Sequence, residues 1–142
     1  MVLHTSKNYE EELENLRTRV MTMGGRVESQ VRLAILSYSE ENIQLAQQVL
    51  VTEREINQEQ LATDQMCSEV IARRQPAAKD LRLLLGVIRT ISDLERIADQ
   101  AAKIAKLVIR NENRGSLPRI HGIFQAAEMA MTMLRKALDA FT

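Results

Sequence analysis

Residues 81–110 read LRLLLGVIRTISDLERIADQAAKIAKLVIR, and this stretch decides the fold class. Apolar residues recur in it at every third or fourth position, a spacing that places them on one face of an α-helix. The centre of that face consists of Leu84, Ile91, Ala98 and Ala105. The stretch therefore predicts a long amphipathic helix whose apolar face packs against neighbouring helices.

One acidic residue interrupts an apolar lane of this predicted helix. Residues seven apart line up as Leu81, Ile88, Glu95, Ala102 and Ile109. A charge at the rim of a core is costly unless it has a partner, water or a cation. Asp99 follows Glu95 by one helical turn, so both carboxylates project from one side. Because hard cations bind clustered carboxylate oxygens, Glu95 and Asp99 are candidate metal ligands.

A similar break occurs in the first predicted helix, where Glu28 lies in an otherwise apolar lane. If the first and third helices pack together, Glu28 would join the two carboxylates of the third. The alternative is that these acids form ion pairs with Arg26, Arg32 or an arginine of the second helix. The residue pattern alone favours the ion pairs over the metal.

The composition indicates an all-α protein of about one domain. The chain has 142 residues, 45% of them hydrophobic and only 3% aromatic, with 5 Gly and 2 Pro. The 19 Lys and Arg residues balance 19 Asp and Glu residues, which predicts no bulk attraction to nucleic acid or anionic membranes. The single cysteine, Cys67, fits a reducing compartment. With no signal-peptide core and no long apolar run, we expect a soluble, cytoplasmic protein without direct membrane insertion.

Four helices are expected from the periodicity and the breakers. The first is predicted from a cap at Asn8 to Tyr38, with Gly24 and Gly25 as a point of kinking or close approach. The second and third are predicted over 42–74 and 76–110, separated by Pro76. Together they predict an antiparallel three-helix bundle.

The fourth helix is predicted to begin a second copy of the same unit. The predicted domains are therefore 8–112 for the bundle and 117–142 for an incomplete second repeat, whose helix Pro118 opens. The sequence MTM occurs in both the first and the fourth helix, at 21–23 and 131–133. An apolar stripe that continues to the end of the chain predicts a homodimer or an exchange of helices.

The third helix also carries a lane of positive residues. Arg82, Arg89 and Arg96 belong to it, and they are candidates for binding an acidic partner, although such lanes are usually solvated faces. The sequence has no nucleophile–base set and no phosphate-binding glycine loop. These patterns favour a protein that is not an enzyme.

Three motifs resemble one family of bacterial regulators. MTMGGRVE (21–28), ARRQPAAKDLR (72–82) and DLERIADQAAKIA (93–105) are similar to motifs of the PhoU proteins and occur in the same order. The resemblance implies two tandem three-helix bundles, of which this chain would hold the first and one helix of the second. It also implies a Glu/Asp-x-x-x-Asp metal signature in each bundle, matched here by Glu95 and Asp99.

The resemblance extends to ligands and partners. It implies metal ions, with iron, zinc, magnesium and manganese as the candidates, and it adds Asp64 to Glu28, Glu95 and Asp99 as a possible ligand. It implies a negative regulator of phosphate signalling that links the high-affinity phosphate transporter, through its ATPase subunit, to a sensor histidine kinase. The alternatives are a storage or redox metal protein, or a metal-free structural module.

Two departures weaken the implied metal site. An Asn often follows the signature Asp by four residues in the family, whereas this chain has the cation Lys103. In the second helix the family's Glu-x-x-Ile-Asp reads Gln60, Thr63 and Asp64 here, so only the Asp is retained.

Overall fold

The part of the chain that the structure describes, residues 2–141 of a computed structural model, consists of helices joined by two short turns and one longer linker, residues 111–122. Side chains are described from residue 6 to residue 141. The helices are α1 (Val2–Glu40), α2 (Ile43–Arg74), α3 (Ala78–Arg110) and α4 (Ile123–Asp139), with no strand over this range. The predicted all-α class is confirmed, because α1, α2 and α3 pack pairwise into an antiparallel bundle.

The two corners of the bundle are set by local backbone chemistry. The side chain of Asn42 accepts a hydrogen bond from the backbone N–H of Leu45 at 3.1 Å, which caps α2. At the other end of α2, Gln75 adopts a left-handed conformation (φ 45°) and Pro76 follows it. Because both connections are short, consecutive helices run in opposite directions.

The core is a column of aliphatic side chains divided by one polar residue. The part nearer the α2–α3 corner contains Leu16, Val20, Ile56 and Leu94, all almost fully buried. The part nearer the α1–α2 turn is built mainly of small and β-branched residues, with one aromatic residue: Ala34, Tyr38, Ala46, Val49, Ala101, Ala105 and Val108. Gln30 is 1% exposed, and its Nε2 donates to the backbone oxygen of Val49 at 2.8 Å. This bond satisfies the amide nitrogen in the interior.

The linker between α3 and α4 is fastened to the turn that follows α1. The hydroxyl of Tyr38 donates to the backbone oxygen of Pro118 at 2.8 Å. The backbone N–H of Leu117 donates to the Glu41 carboxylate at 2.7 Å. Glu41 itself has a left-handed backbone, with φ 51°. These bonds hold the linker at the end of the bundle, where α4 begins.

Helix α4 runs antiparallel along α1 and contacts it through apolar, ionic and steric features. Arg32 pairs with Glu128 at 3.1 Å, and Arg135 pairs with Glu28 at 2.9 Å. Nearer the end of α4, Leu138 lies against Gly24, where a Cβ would overlap its Cδ1 atom. Gly24 therefore lets the two helices approach closely without any break in α1.

Two predicted helix starts are wrong, and a third is displaced by two residues. Helix α1 already begins at Val2 and passes through Asn8 without a cap, because residues 2–7 contain neither Gly nor Pro. Helix α4 begins at Ile123 rather than directly after Pro118, because Gly122 adopts a left-handed conformation and Pro118 is tied to Tyr38. Helix α3 begins at Ala78, two residues after the predicted Pro76.

Candidate functional site

The negative charges of Asp99 on α3 and Glu53 on α2 both act on the carboxyl group of Glu95, and we call these three residues the acidic patch. Glu95 is partly buried, and this burial raises the pKa of its carboxyl group above the usual value. The negative charges of Asp99 and Glu53 raise that pKa further, and Arg96 opposes them. Glu95 has no ion pair within the described part of the chain. An added cation would offset the negative charges that act on Glu95.

Asp99 already has a positive partner. The Nζ atom of Lys103 lies 3.4 Å from a carboxylate oxygen of Asp99, one helical turn away. The side chains are 61% and 43% exposed, so the pair is screened by solvent and contributes little to stability.

Glu28 lies in a different environment from the acidic patch. Its carboxylate, 17% exposed, pairs with Arg32 at 3.0 Å and with Arg135 of α4 at 2.9 Å. The charged groups that act on Glu95 are Asp99, Glu53 and Arg96, and Glu28 is not among them. Although α1 and α3 pack together, the structure gives Glu28 the ion pair with Arg32 that the sequence left open as its alternative.

Asp64 also lies apart from Glu95. It is exposed on α2, where its charge acts on Cys67. Burial is the main reason that the pKa of the Cys67 thiol rises to about 11, and the charge of Asp64 adds to it. Cys67 is a protonated core residue at neutral pH, and Asp64 is a solvated surface acid.

The donor set at the acidic patch suits some metals better than others. No three His, Cys, Asp or Glu side chains of the described residues come together closely enough to hold one metal ion. A tetrahedral zinc site usually needs four protein ligands, or three at a catalytic centre. Magnesium and similar hard cations bind through one or two carboxylates and keep several waters. Glu95 and Asp99, one turn apart, fit the second description.

Glu53 is the member of the patch that the sequence analysis missed. A signal for it exists, because α2 and α3 are antiparallel and meet at the corner near Pro76. Glu53 lies about as far before this corner as Asp99 lies after it. Residues equidistant from such a corner come to the same level of a bundle, so the polar middle of α2 could have been matched to the rim of α3.

The candidate partner residues Arg82, Arg89 and Arg96 are exposed along the outer side of α3. Arg96 pairs weakly with Asp93 at 3.6 Å. Arg82 and Arg89 make no ion pair with any described residue. Their guanidinium groups are free to meet an external anion.

Three long antiparallel helices, with a fourth laid along the first, define a helical scaffold that presents charged faces to solvent. Within the described residues, none of its helices is both long and apolar enough to cross a membrane. Residues 20–108 match the PhoU domain family. The chain belongs to the PhoU family, as its three motifs indicate.

Full-length relatives extend the match over nearly the whole chain. The phosphate-specific transport system accessory protein PhoU of Edwardsiella tarda is 39% identical over 138 residues, covering 97% of this chain and 57% of the relative. The corresponding homologue of Pseudomonas putida is 41% identical over 139 residues, covering 97% and 54%. The Escherichia coli K12 protein is 38% identical over 138 residues. The chain thus spans little more than half the length of these relatives.

Solved structures share the helical arrangement. The crystal structure of PhoU from Pseudomonas aeruginosa is 39% identical, with a TM-score of 0.86, covering 94% of this chain and 64% of that one. The phosphate transport system regulatory protein PhoU from Streptococcus pneumoniae is 28% identical, with a TM-score of 0.81, covering 93% and 62%.

Proposed function

We propose that this chain is the N-terminal part of a cytoplasmic, non-enzymatic regulator of phosphate uptake and phosphate signalling. In this proposal it links the ATPase subunit of the high-affinity phosphate transporter to a sensor histidine kinase and represses signalling when phosphate is plentiful. The observation that supports it most strongly is the match of 97% of the chain to accessory proteins of the phosphate transport system.

The physical form of the molecule suits an adaptor. Helices of 39, 32 and 33 residues form a rigid rod whose outer faces carry charged side chains. Such faces give specificity and fast association with charged partners. A homodimer is part of the proposal, because α4 exposes Met129 (68%) and Met133 (71%) on the side away from α1.

The partner role is tested by binding measurements on purified proteins from one organism. The full-length protein that contains this chain is titrated against the ATPase subunit and, separately, against the cytoplasmic part of the sensor kinase. We expect a dissociation constant in the micromolar range or tighter for at least one of them. Absence of binding to both, with a protein that is folded by circular dichroism, would overturn the adaptor proposal.

We further propose that Glu95 and Asp99 hold a cation at the acidic patch. Burial raises the pKa of Glu95, and the charges of Asp99 and Glu53 add to it; a cation bound there would oppose all three effects. The two carboxylates favour magnesium or manganese with water completing the coordination, whereas iron or zinc would require ligands beyond this pair. The bound ion would supply local positive charge, and the carboxylates would orient it on the rim of α3.

The metal proposal is tested by elemental mass spectrometry on protein purified without an affinity tag or chelator. A Glu95→Gln/Asp99→Asn variant is compared with an Asp93→Asn/Glu69→Gln control, which makes the same charge change at exposed positions. We expect stoichiometric metal in the parent and in the control, and none in the Glu95/Asp99 variant. Equal metal content in all three proteins, or none in the parent, would overturn this proposal and leave the adaptor role intact.

A further inference from the structure

The outer side of α3 carries a regular line of positive charge. Five cations recur at seven-residue intervals, and we call them the basic stripe: Arg82, Arg89, Arg96, Lys103 and Arg110. All are exposed and point away from the core face of the helix. At about 1.5 Å per residue the stripe is roughly 40 Å long, nearly the whole length of α3.

Most of this charge is not neutralised by the protein. Arg96 pairs with Asp93 at 3.6 Å and Lys103 with Asp99 at 3.4 Å, both within α3 and both strongly exposed. Exposed pairs at these distances are weak. Arg82, Arg89 and Arg110 have no ion pair among the residues that the structure describes. The chain has a formal net charge of zero, so the stripe is a local concentration of positive charge on a neutral protein.

Two leucines accompany the stripe. Leu85 is 50% exposed and follows Arg82 by three residues, and Leu107 is 47% exposed and precedes Arg110 by three, so the leucines lie beside the stripe near opposite ends of α3. Apolar side chains between arginines and lysines on a helix surface are typical of contact with the interface of a lipid bilayer. The long aliphatic parts of the basic side chains favour the same boundary.

We propose that the basic stripe is a docking face for the surface of an anionic lipid bilayer. A bilayer offers negative charge over a flat area, and the stripe offers exposed positive charge along nearly the whole length of α3, so the two are complementary without any groove. Each Lys or Arg held near such a surface strengthens binding about fivefold. The protein would lie on the membrane along α3, with no segment crossing it.

A partner helix rich in acidic residues is a weaker match for the same face. Helices pack stably through an apolar seam, with charges on its flanks. On the outer face of α3 the exposed large apolar residues are only Leu85 and Leu107 within the described chain, and they stand at opposite ends of the stripe. The centre of the face is polar, which suits a headgroup layer better than a second helix.

The test is vesicle flotation at low ionic strength. The probes are vesicles of phosphatidylcholine mixed with phosphatidylglycerol, and vesicles of phosphatidylcholine alone. The stripe variant is Arg82→Gln/Arg89→Gln/Arg110→Gln. Its matched control, Lys7→Gln/Arg54→Gln/Lys136→Gln, removes three exposed cations from the other helices and gives the same net charge. Circular dichroism verifies that both variants keep the helical content of the parent.

We expect the parent and the control to float with phosphatidylglycerol vesicles and not with phosphatidylcholine vesicles. The stripe variant is expected to bind about a hundredfold more weakly than the parent. A Leu85→Ser/Leu107→Ser variant is expected to bind about tenfold more weakly. Equal weakening by the stripe and control variants, or no binding of the parent to phosphatidylglycerol vesicles, would overturn the proposal. Binding of the parent to an acidic helical peptide but not to the vesicles would overturn it in favour of a protein partner.

Discussion

Helices α3 and α4 are both amphipathic, yet they are buried to very different extents. α3 buries nine residues, among them Leu84, Ile91 and Leu94, because α1 and α2 both pack against it. α4 buries only Met131 and Leu138, because it lies along α1 alone among the described helices. The strength of an amphipathic pattern therefore indicates a helix with an apolar face, but it does not indicate how many partners cover that face.

The three-helix bundle and α4 also differ in the interactions that hold them in place. The bundle depends on close-packed aliphatic side chains, which cannot be replaced without leaving a cavity. The position of α4 depends on a few local features: the ion pairs of Glu28 and Glu128, the close contact at Gly24, and the linker bonds at Tyr38 and Glu41. Such features predict that α4 opens without unfolding the bundle.

The largest effect is expected from a cavity in the bundle. Leu94→Ala removes a side chain that is 1% exposed and should lower the free energy of unfolding by about 2–5 kcal/mol. Met133→Ala, at a position 71% exposed on α4, should change it by less than about 0.5 kcal/mol. Urea denaturation followed by circular dichroism measures both. Similar losses in the two variants would contradict the difference between the regions.

The adjacent glycines of α1 provide a matched pair for the contact between α1 and α4. Gly25→Ala meets no atom within 4 Å and should stabilise the helix by about 0.5–1 kcal/mol. Gly24→Ala gains the same helix propensity, but its Cβ overlaps the Cδ1 atom of Leu138, so this side chain must move and its contact with α1 loosens. We expect faster hydrogen exchange in residues 134–139 for Gly24→Ala only.

A double variant, Gly24→Ala/Leu138→Ala, tests whether the overlap with Leu138 is the cause of the faster exchange. The smaller side chain makes room for the new Cβ, so the double variant should show the same exchange rates as Leu138→Ala alone. Further acceleration in the double variant would mean that the overlap with Leu138 is not the reason for the faster exchange.

A smaller effect is expected from the ion pairs between α1 and α4. Arg135→Gln removes the contacts of this residue with Glu28 and Glu128, and amide exchange in α4 should accelerate about twofold to fivefold. Added salt should produce a similar change in the parent and little in the variant. If salt accelerates both proteins equally, the ion pairs do not hold α4.

The pH dependence of the same contact has a defined sign. Arg32 donates hydrogen bonds to Glu128 and holds the pKa of that carboxyl below its usual value. A carboxyl whose pKa is lowered by folding stabilises the folded state above its unfolded pKa, and this contribution is lost as the pH falls through the lowered value. Exchange in α4 should therefore stay slow through the ordinary glutamate range and accelerate only at lower pH, after correction for the intrinsic exchange rate.

The smallest effect is expected at the acidic patch, and its sign is opposite to that of a core mutation. Burial, Asp99 and Glu53 raise the pKa of Glu95, so its contribution to stability is greatest below its unfolded pKa and declines as the pH rises through the folded one. In metal-free buffer at neutral pH, Glu95→Gln should stabilise the protein by about 0.2–0.5 kcal/mol. The gain should disappear in acid. Urea titrations at the two pH values measure it, and a loss of stability at neutral pH would contradict the assigned cause.

The fold was predictable from sequence where one pattern was enough to define an element. The apolar lanes of α3, the predicted start of α2 near Asn42 and the break at Pro76 place the bundle correctly. The start of α1 was not predictable from Asn8, since a residue that can cap a helix can also lie within one. The start of α4 depends on a hydrogen bond between Tyr38 and Pro118, which are far apart in sequence.

At the candidate site, too, some features were predictable from the sequence and others were not. The rim position of Glu95 follows from its lane, and its raised pKa agrees with that position. The proximity of Glu53 depends on the register between α2 and α3, and the partners of Glu28 depend on where α4 docks. Neither relation is encoded in the periodicity of a single helix, because periodicity defines a face and not the residue opposite it.

Because hydrogen bonds hold the linker in place, even a weak contact between α1 and α4 is enough to keep α4 docked. With Leu117 and Pro118 fixed at the end of the bundle, α4 begins close to its docking position, and only a short segment separates the two. Docking is then an intramolecular event, for which a short tether supplies an effective concentration in the millimolar range. An isolated peptide of residues 123–139 would bind α1 too weakly to compete with the tethered helix, although every contact residue is the same.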